Sequence, residues 1–235
     1  MEQLKDFFKN EEITSIIDVG AGTGDFIAVL KSVFPKAGIT GIDPNVASLN
    51  EAKEKFPDVS FMEMGAEKLE FNDNSFDLAS ISMALHHVPD VQKALKEMKR
   101  VVKPNGWIIV NELYSDNLNP AQEVHKMFHH FRSKIDRLTG VSHNKTFKRN
   151  DIPNMVKNSG IEVLLDFDNI VVPRLIIETN EFEEKMNKMK QNLERIKGLP
   201  EYDLLKHKIS EFREGVKKFG FQSPPRIVLV GKPGE

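Results

Sequence analysis

The chain has 235 residues, of which 40% are hydrophobic and 29% charged, with a formal net charge of −2 and no cysteine. This composition is typical of a globular protein, and the absence of cysteine excludes disulfides, thiolate nucleophiles and cysteine-ligated zinc. The near-neutral charge offers no general attraction for nucleic acid, so a nucleic-acid partner is not expected unless the surface carries a local basic patch. The N-terminal residues lack the apolar core of a signal peptide, and no stretch approaches the ~20 apolar residues that span a bilayer. We therefore expect a soluble, cytoplasmic protein without membrane contact.

Apolar runs and amphipathic segments alternate along the first half of the chain, which predicts strands and helices in turn. The predicted strands lie at about 14–19, 38–43, 59–63, 76–83 and 107–113. The predicted helices lie at about 2–9, 24–34, 45–56 and 89–102. The last helix begins near Pro89, because proline is favoured in a first turn, and a turn at 104–106 precedes the fifth strand. The alternation predicts right-handed crossovers and an α/β fold with a doubly wound, mostly parallel sheet.

After residue 113 the alternation stops. Helices are predicted at 119–139 and about 149–159, and two further strands, at 162–172 and 226–230, bring the sheet to seven strands. Between those strands lies a helical insertion, 173–223, with two apolar stripes at spacings of four and three, which predicts an antiparallel hairpin. The stripes are Phe182, Met186, Met189, Leu193 and Ile196, and then Leu205, Ile209, Phe212, Val216 and Phe219.

We predict one domain over 1–235. Its cofactor-binding core covers about 13–113. Helical elements at about 114–146 and 173–223 are expected to bind the acceptor or to form a lid; the second of them is alternatively a dimerisation arm of a homodimer, or a passive insertion.

Three glycines, Gly20, Gly22 and Gly24, follow the first apolar run, and an amphipathic segment starts directly after them. This order indicates a buried strand, a tight turn and a helix start, where α/β proteins bind nucleotide-like cofactors. The spacing is G-x-G-x-G, whereas a dinucleotide fingerprint requires glycine at the position of Asp25. A carboxylate there repels a pyrophosphate, so a cofactor without phosphates is favoured over NAD.

Further motifs follow in order, and together they resemble those of class I S-adenosylmethionine-dependent methyltransferases, especially the small-molecule type. The motifs are Asp18-Val19-Gly20-Ala21-Gly22-Thr23-Gly24, Asp43, Gly65-Ala66-Glu67, Ser75-Phe76-Asp77, Ala84-Leu85-His86-His87-Val88 and Arg100-Val101-Val102-Lys103-Pro104-Asn105-Gly106. The resemblance covers about 13–113. It implies a Rossmann-like methyltransferase fold with S-adenosyl-L-methionine as the cofactor.

The resemblance also implies a set of cofactor-binding residues. They are Asp18, Gly20, Ala21, Gly22, Gly24, Asp43, Pro44, Gly65, Ala66, Glu67 and Ser82. Members of the family often carry an acid where this chain has Gly65, so the adenine amino group is expected to contact Glu67 or the backbone. Asp43 offers two oxygens to a pair of ribose hydroxyls; the alternative is that it caps the helix 45–56.

Two histidines, His86 and His87, follow the fourth predicted strand and are the candidate catalytic residues. A histidine beside the methyl group can orient the acceptor or take its proton near neutral pH. The alternative is that both only cap and pack the loop before Pro89. Asn111 and Glu112 end the fifth strand on the same rim, either as site residues or as a polar strand end.

A polar stripe follows the helix 119–139: His125, His129, Arg132 and Asp136. His125 and His129 lie one turn apart and could share a metal, but no third ligand is apparent, so no metal site is predicted. Arg132 and Asp136 are expected to form an i, i+4 ion pair. His143 either reaches an acceptor pocket or lies in an ordinary surface loop.

The function that these features favour is methyl transfer to a small-molecule acceptor by in-line displacement, for which the protein mainly positions the reactants. One alternative is an RNA or protein methyltransferase on the same fold, which would require a basic surface or a binding module. Another is a protein that binds S-adenosylmethionine without catalysis.

Overall fold

The protein is described from a computed structural model, which describes residues 1–169, 175–177 and 179–234. The chain divides into two compact units. The first contains Met1–Glu112, Asn150–Asn169 and the C-terminal segment from Ile227, and the second contains Leu113–Arg149 and Ile170–Arg226. Within the described ranges, no helix is both long and apolar enough to cross a membrane.

The strands form one sheet in the order β3-β2-β1-β4-β5-β7-β6, which confirms the predicted seven-stranded α/β fold for the described residues. They are β1 Ser15–Val19, β2 Gly38–Asp43, β3 Ser60–Glu63, β4 Phe76–Ser82, β5 Val102–Leu113, β6 Ile161–Asn169 and β7 Arg226–Pro233. The ladders β1–β2, β1–β4, β2–β3 and β4–β5 are parallel. The strand order reverses between β1 and β4, and α/β sheets bind ligands at the carboxyl ends of such strands.

The helices of the first unit are α1 Glu2–Phe8, α2 Asp25–Val33, α3 Val46–Lys55, α4 Val91–Val101 and α6 Asp151–Asn158. Those of the second unit are α5 Pro120–Leu138, α7 Asn180–Glu194 and α8 Tyr202–Phe219. The core of the first unit joins strand residues such as Ile16 and Leu78 to Ile27 and Leu30 of α2. Burial of these strands on both faces explains their nearly continuous apolar runs.

The amino ends of β1 and β4 are joined by Asp77. One oxygen, Oδ2, accepts hydrogen bonds from the backbone and hydroxyl groups of Thr14 and Ser15. The other, Oδ1, lies 2.6 Å from Nζ of Lys103. This network fixes the β1–β4 pair at the end opposite to the glycine loop.

Two predicted boundaries in the first unit are wrong. Helix α4 begins after Asp90, not near Pro89, because the Asp90 carboxylate accepts the Lys93 amide at 3.0 Å and caps the helix. The predicted turn at 104–106 is instead part of β5, where the register with β4 shifts between Phe76 and Leu78. Strand β6 is described over Ile161–Asn169; residues 170–172 of the predicted strand lie outside the described residues.

In the second unit, the predicted helical hairpin forms from α7 and α8, and both helices pack with α5 around one apolar cluster. Phe182, Met186 and Phe212 are fully buried there, as their spacing predicts. Phe219 is an exception, because its side chain is 42% exposed at the end of α8. Residues 173, 174 and 178 of the predicted insertion lie outside the described residues.

Candidate cofactor and active site

The glycine loop connects β1 to α2. Gly24 is the N-cap of α2 with φ +86°, and Asp25 is the exposed first residue of the helix, as predicted. Gly20 has φ +71°, and a Cβ added there would lie 2.4 Å from Cβ of Ala84. Gly22 also has a positive φ, +51°, but a Cβ added there meets nothing within 4 Å, so open space faces the loop at this residue.

Gly20 and Gly22 both have a positive φ, but only Gly20 is in close contact with a neighbour, so alanine substitutions at the two positions can be compared directly. We expect Gly20→Ala to lower the free energy of unfolding by about 3 kcal/mol, because positive φ costs an L-residue about 1–2 kcal/mol and overpacking adds a further ~1–3 kcal/mol. Gly22→Ala incurs only the backbone term, so its expected loss is about 1 kcal/mol. Urea unfolding of both variants measures the difference, and equal losses would show that contact with Ala84 does not restrict Gly20.

Asp43, at the end of β2, is bonded to the glycine loop. Its Oδ2 accepts the Gly22 N–H at 3.0 Å and its Oδ1 accepts the Asn45 N–H at 2.8 Å. The helix-cap alternative is wrong, because the N-cap of α3 is Asn45, whose side chain accepts the Ser48 amide. Each oxygen of a carboxylate accepts about two hydrogen bonds, so both oxygens of half-buried Asp43 retain acceptor capacity for a pair of hydroxyls.

Asp18 lies inside β1, and its side chain is only 1% exposed. Its Oδ1 lies 2.6 Å from the Ser80 hydroxyl, directly opposite in the β1–β4 register. Burial raises the pKa of Asp18 to about 7, the hydrogen bond from Ser80 opposes this rise, and the negative charge of Asp43 adds to it. Sequence reasoning missed Ser80, although a hydroxyl within the apolar run of β4 is a signal for a buried polar pair. Direct contact of Asp18 with the cofactor stays a prediction.

The raised pKa of Asp18 predicts a pH-dependent stability difference. The unfolded carboxyl ionises near pH 4 and the folded one near pH 7, so the contribution of Asp18 to stability is present below pH 4 and is lost as the pH rises through 7. The Asp18→Asn variant has no such loss. We compare the free energy of unfolding of the variant with that of the natural protein at each pH. We expect this difference to be about 4 kcal/mol more favourable to the variant at pH 8 than at pH 4. Urea unfolding at several pH values tests this, and a pH-independent difference would contradict the raised pKa.

The other predicted cofactor residues also follow the carboxyl ends of strands. Pro44 is exposed directly after β2, and the loop 65–67 follows β3, with the Glu67 Oε1 accepting the Asp90 amide at 3.4 Å. Ser82 ends β4, and its Oγ accepts from Nδ2 of Asn111 at 2.8 Å. These positions all lie at the carboxyl ends of the parallel strands, near the point where the strand order reverses.

The two candidate catalytic histidines differ in environment. A short 3-10 turn, Leu85–His87, follows β4; in it His86 is 3% exposed, whereas His87 is exposed to solvent. Nδ1 of His86 lies 2.8 Å from Oε1 of Glu112, which is itself only 1% exposed. Sequence reasoning named Glu112 as a rim residue but missed this pairing. A carboxylate in this position fixes the imidazole orientation and places its proton on Nδ1.

The polar stripe of α5 forms a cluster within the second unit. Arg132 and Asp136 form the predicted pair, with Nε and Oδ2 3.6 Å apart. His143 is 1% exposed, so the surface-loop alternative is wrong, and its Nδ1 lies 2.7 Å from Oδ2 of Asp136. His125 lies elsewhere on the helix, where its ring centroid is 4.8 Å from that of Phe221. Its pKa is lowered to about 4, mainly by burial and also by nearby lysine and arginine charges.

Comparisons with known proteins agree with this geometry. A family model for the methyltransferase domain matches residues 17–110. Demethylmenaquinone methyltransferase of Chlorobaculum tepidum is 31% identical over 63% of this chain and 60% of its own length. The ubiquinone/menaquinone biosynthesis C-methyltransferase of Campylobacter jejuni is 43% identical over 41% of this chain and 43% of its own length. The chain thus spans between two fifths and three fifths of the length of these curated relatives.

The whole fold has solved counterparts. A crystal structure from Bacillus halodurans C-125, assigned as a methyltransferase, aligns with 100% of this chain and 98% of its own at a TM-score of 0.65 and 18% identity. At that identity the likeness establishes the fold alone. The glycine loop and the acid at the end of β2 both lie within residues 17–110, the segment that matches the methyltransferase-domain family model.

Proposed function

We propose that the protein binds S-adenosyl-L-methionine at the carboxyl ends of β1 and β2 and transfers its methyl group to a small-molecule acceptor. The observation that carries the proposal is the pairing of the Asp43 carboxylate with the Gly22 amide, which presents two acceptor oxygens beside an open glycine loop. A pair of ribose hydroxyls matches those oxygens. Asp25 at the start of α2 supports a cofactor without a pyrophosphate.

The residues present fit the cofactor. The open space at Gly22 admits close approach of a ligand to the backbone, and Asp43 would hold the ribose. When bound, S-adenosyl-L-methionine supplies an electrophilic methyl group on a sulfonium. The chain's own contribution is to hold the acceptor in line with that methyl group and to exclude water.

We propose His86 as the general base and Glu112 as its positioning residue. Glu112 keeps the proton on Nδ1 of His86, so Nε2 is the nitrogen that takes a proton from the acceptor. The burial of both side chains supports this role, because a base and its partner interact more strongly away from water. His87 is exposed and is the weaker candidate.

A quinol ring is the first acceptor to test. Two relatives are named for methylation in quinone biosynthesis, and methylation of such a ring removes a proton that a base must accept. The helical segments 114–146 and 173–223 remain the proposed acceptor or lid elements. RNA or protein methylation is a weaker alternative, given the net charge of −2.

Transfer of label from S-adenosyl-L-[methyl-³H]methionine tests the proposed function. The protein is incubated with demethylmenaquinol, with a deproteinised metabolite extract, and with total RNA and protein. We expect label in a small molecule and none in the macromolecules. Tight cofactor binding without transfer to any acceptor would favour a non-catalytic protein, and label in RNA or protein would contradict the proposed acceptor class.

A further inference from the structure

We propose that the second unit binds a divalent transition-metal ion, with His129 and His143 as its protein ligands. The two imidazoles approach each other through their Nε2 atoms, which are 3.2 Å apart. His129 lies on α5, and His143 lies in the loop that follows this helix. The proposal uses residues of the second unit alone and does not depend on methyl transfer.

The ring geometry supports two ligands of one ion. Two nitrogens bound to a tetrahedral Zn²⁺ at about 2.0–2.1 Å are about 3.3 Å apart, close to the observed 3.2 Å. The ring centroids are 4.8 Å apart and the ring planes are inclined by 88°. A straight N–H···N hydrogen bond of this length would place the centroids roughly 5.5 Å apart. Two rings that share a tetrahedral ion would have centroids roughly 5.2 Å apart, so the rings are tilted in the direction that a shared ion requires, and slightly further.

The surroundings of His143 resemble those of a metal-bound imidazole. Its Nδ1 lies 2.7 Å from Oδ2 of Asp136, and both side chains are buried. The other oxygen, Oδ1, accepts a hydrogen bond from Nη1 of Arg195 at 2.6 Å, which fixes the carboxylate. Metal-ligating histidines almost always donate their second ring N–H to such a group, which leaves the opposite nitrogen as the metal donor.

The donor set selects the class of ion. Imidazole nitrogens suit Zn²⁺, Co²⁺, Ni²⁺ and Cu²⁺, whereas Mg²⁺ and Ca²⁺ require oxygen ligands. With two protein ligands from this unit, the other coordination positions would be filled by water or by an oxygen donor of a small molecule. Such a site exchanges ligands readily, as open zinc sites do.

Metal titration of the full chain, with any affinity tag removed, tests the proposal. We expect saturable binding of one Zn²⁺ or Co²⁺ by calorimetry, and none of Mg²⁺. His129→Ala and His143→Ala should each weaken binding at least tenfold, and Asp136→Asn about tenfold through loss of the carboxylate on Nδ1. His130→Ala is the matched control, because His130 lies on the same helix but its Nε2 bonds the Thr146 hydroxyl at 2.9 Å.

A second measurement covers the case in which a histidine variant does not fold. Imidazole ¹⁵N resonances of the natural protein are followed during Zn²⁺ addition. We expect large shifts for His129 and His143 and none for His207, which is exposed on α8. Absence of saturable binding, or shifts confined to other histidines, would overturn the proposal and leave the pair as a simple N–H···N hydrogen bond.

Discussion

The Asp43→Asn variant is expected to bind S-adenosylhomocysteine about 100-fold more weakly than the natural protein. Hydrogen bonds to a charged acceptor contribute about 1.5–3 kcal/mol, and each 1.4 kcal/mol corresponds to a tenfold change in affinity. An amide has only one acceptor oxygen, so it cannot accept from two ribose hydroxyls while also bonding the Gly22 and Asn45 amides. Isothermal titration calorimetry measures the dissociation constants.

The matched control is Asp58→Asn. Asp58 is an exposed acid of the same unit that pairs with Lys31, so the substitution removes the same charge without touching the glycine loop. We expect its affinity for S-adenosylhomocysteine to stay within about twofold, because exposed ion pairs contribute little. If both variants have the same dissociation constant for S-adenosylhomocysteine, the loss of affinity is due to the change in net charge and not to the loss of a contact of Asp43. Thermal melting of Asp43→Asn checks that the loop remains folded.

The His86→Ala variant is expected to lower kcat for methyl transfer by about 10²–10⁴-fold, which is the usual contribution of general base catalysis. The affinity for S-adenosylhomocysteine should change less than about twofold, since the proposal gives His86 the acceptor's proton and not the cofactor. His87→Ala is the control, because this neighbour is exposed and its ring lies 4.3 Å from that of His86. Equal loss of kcat in both variants would contradict the assignment of the base to His86.

The Glu112→Gln variant tests the positioning role separately. The amide can still bond Nδ1 of His86, but it carries no charge to stabilise the imidazolium that forms when His86 takes the proton. We expect kcat at neutral pH to fall by roughly 10–100-fold, as for other residues that orient a functional imidazole. A kcat within about twofold of that of the natural protein would contradict the positioning role of Glu112.

The features that could be predicted from the sequence are local ones. The glycine loop, Asp43 and the apolar stripes of α7 and α8 were predictable, because strand ends, tight turns and helical periodicity are encoded within a few neighbouring residues. Helix α4 shows where two local preferences compete. Proline and aspartate both favour a helix start, and the hydrogen bond from the Lys93 amide to Asp90 decided the position.

The pairings within the site could not be predicted, because they depend on strand register. Asp18 meets Ser80 through the β1–β4 ladder, 62 residues along the chain. His86 meets Glu112 because β4 and β5 are adjacent and end at the same edge. His143 meets Asp136 through the turn after α5, a conformation that no periodic pattern specifies. The types of residue were visible in the sequence, but their partners were not.

We expect the loop between β1 and α2, together with Asp43, to bind an adenosyl sulfonium and not a dinucleotide. Parallel calorimetric titrations of the purified chain with S-adenosylmethionine, S-adenosylhomocysteine and NAD test it most directly. We predict saturable one-to-one binding of both adenosyl ligands with micromolar or tighter dissociation constants, and no measurable binding of NAD. Saturable NAD binding in the absence of binding by either adenosyl ligand would contradict the account.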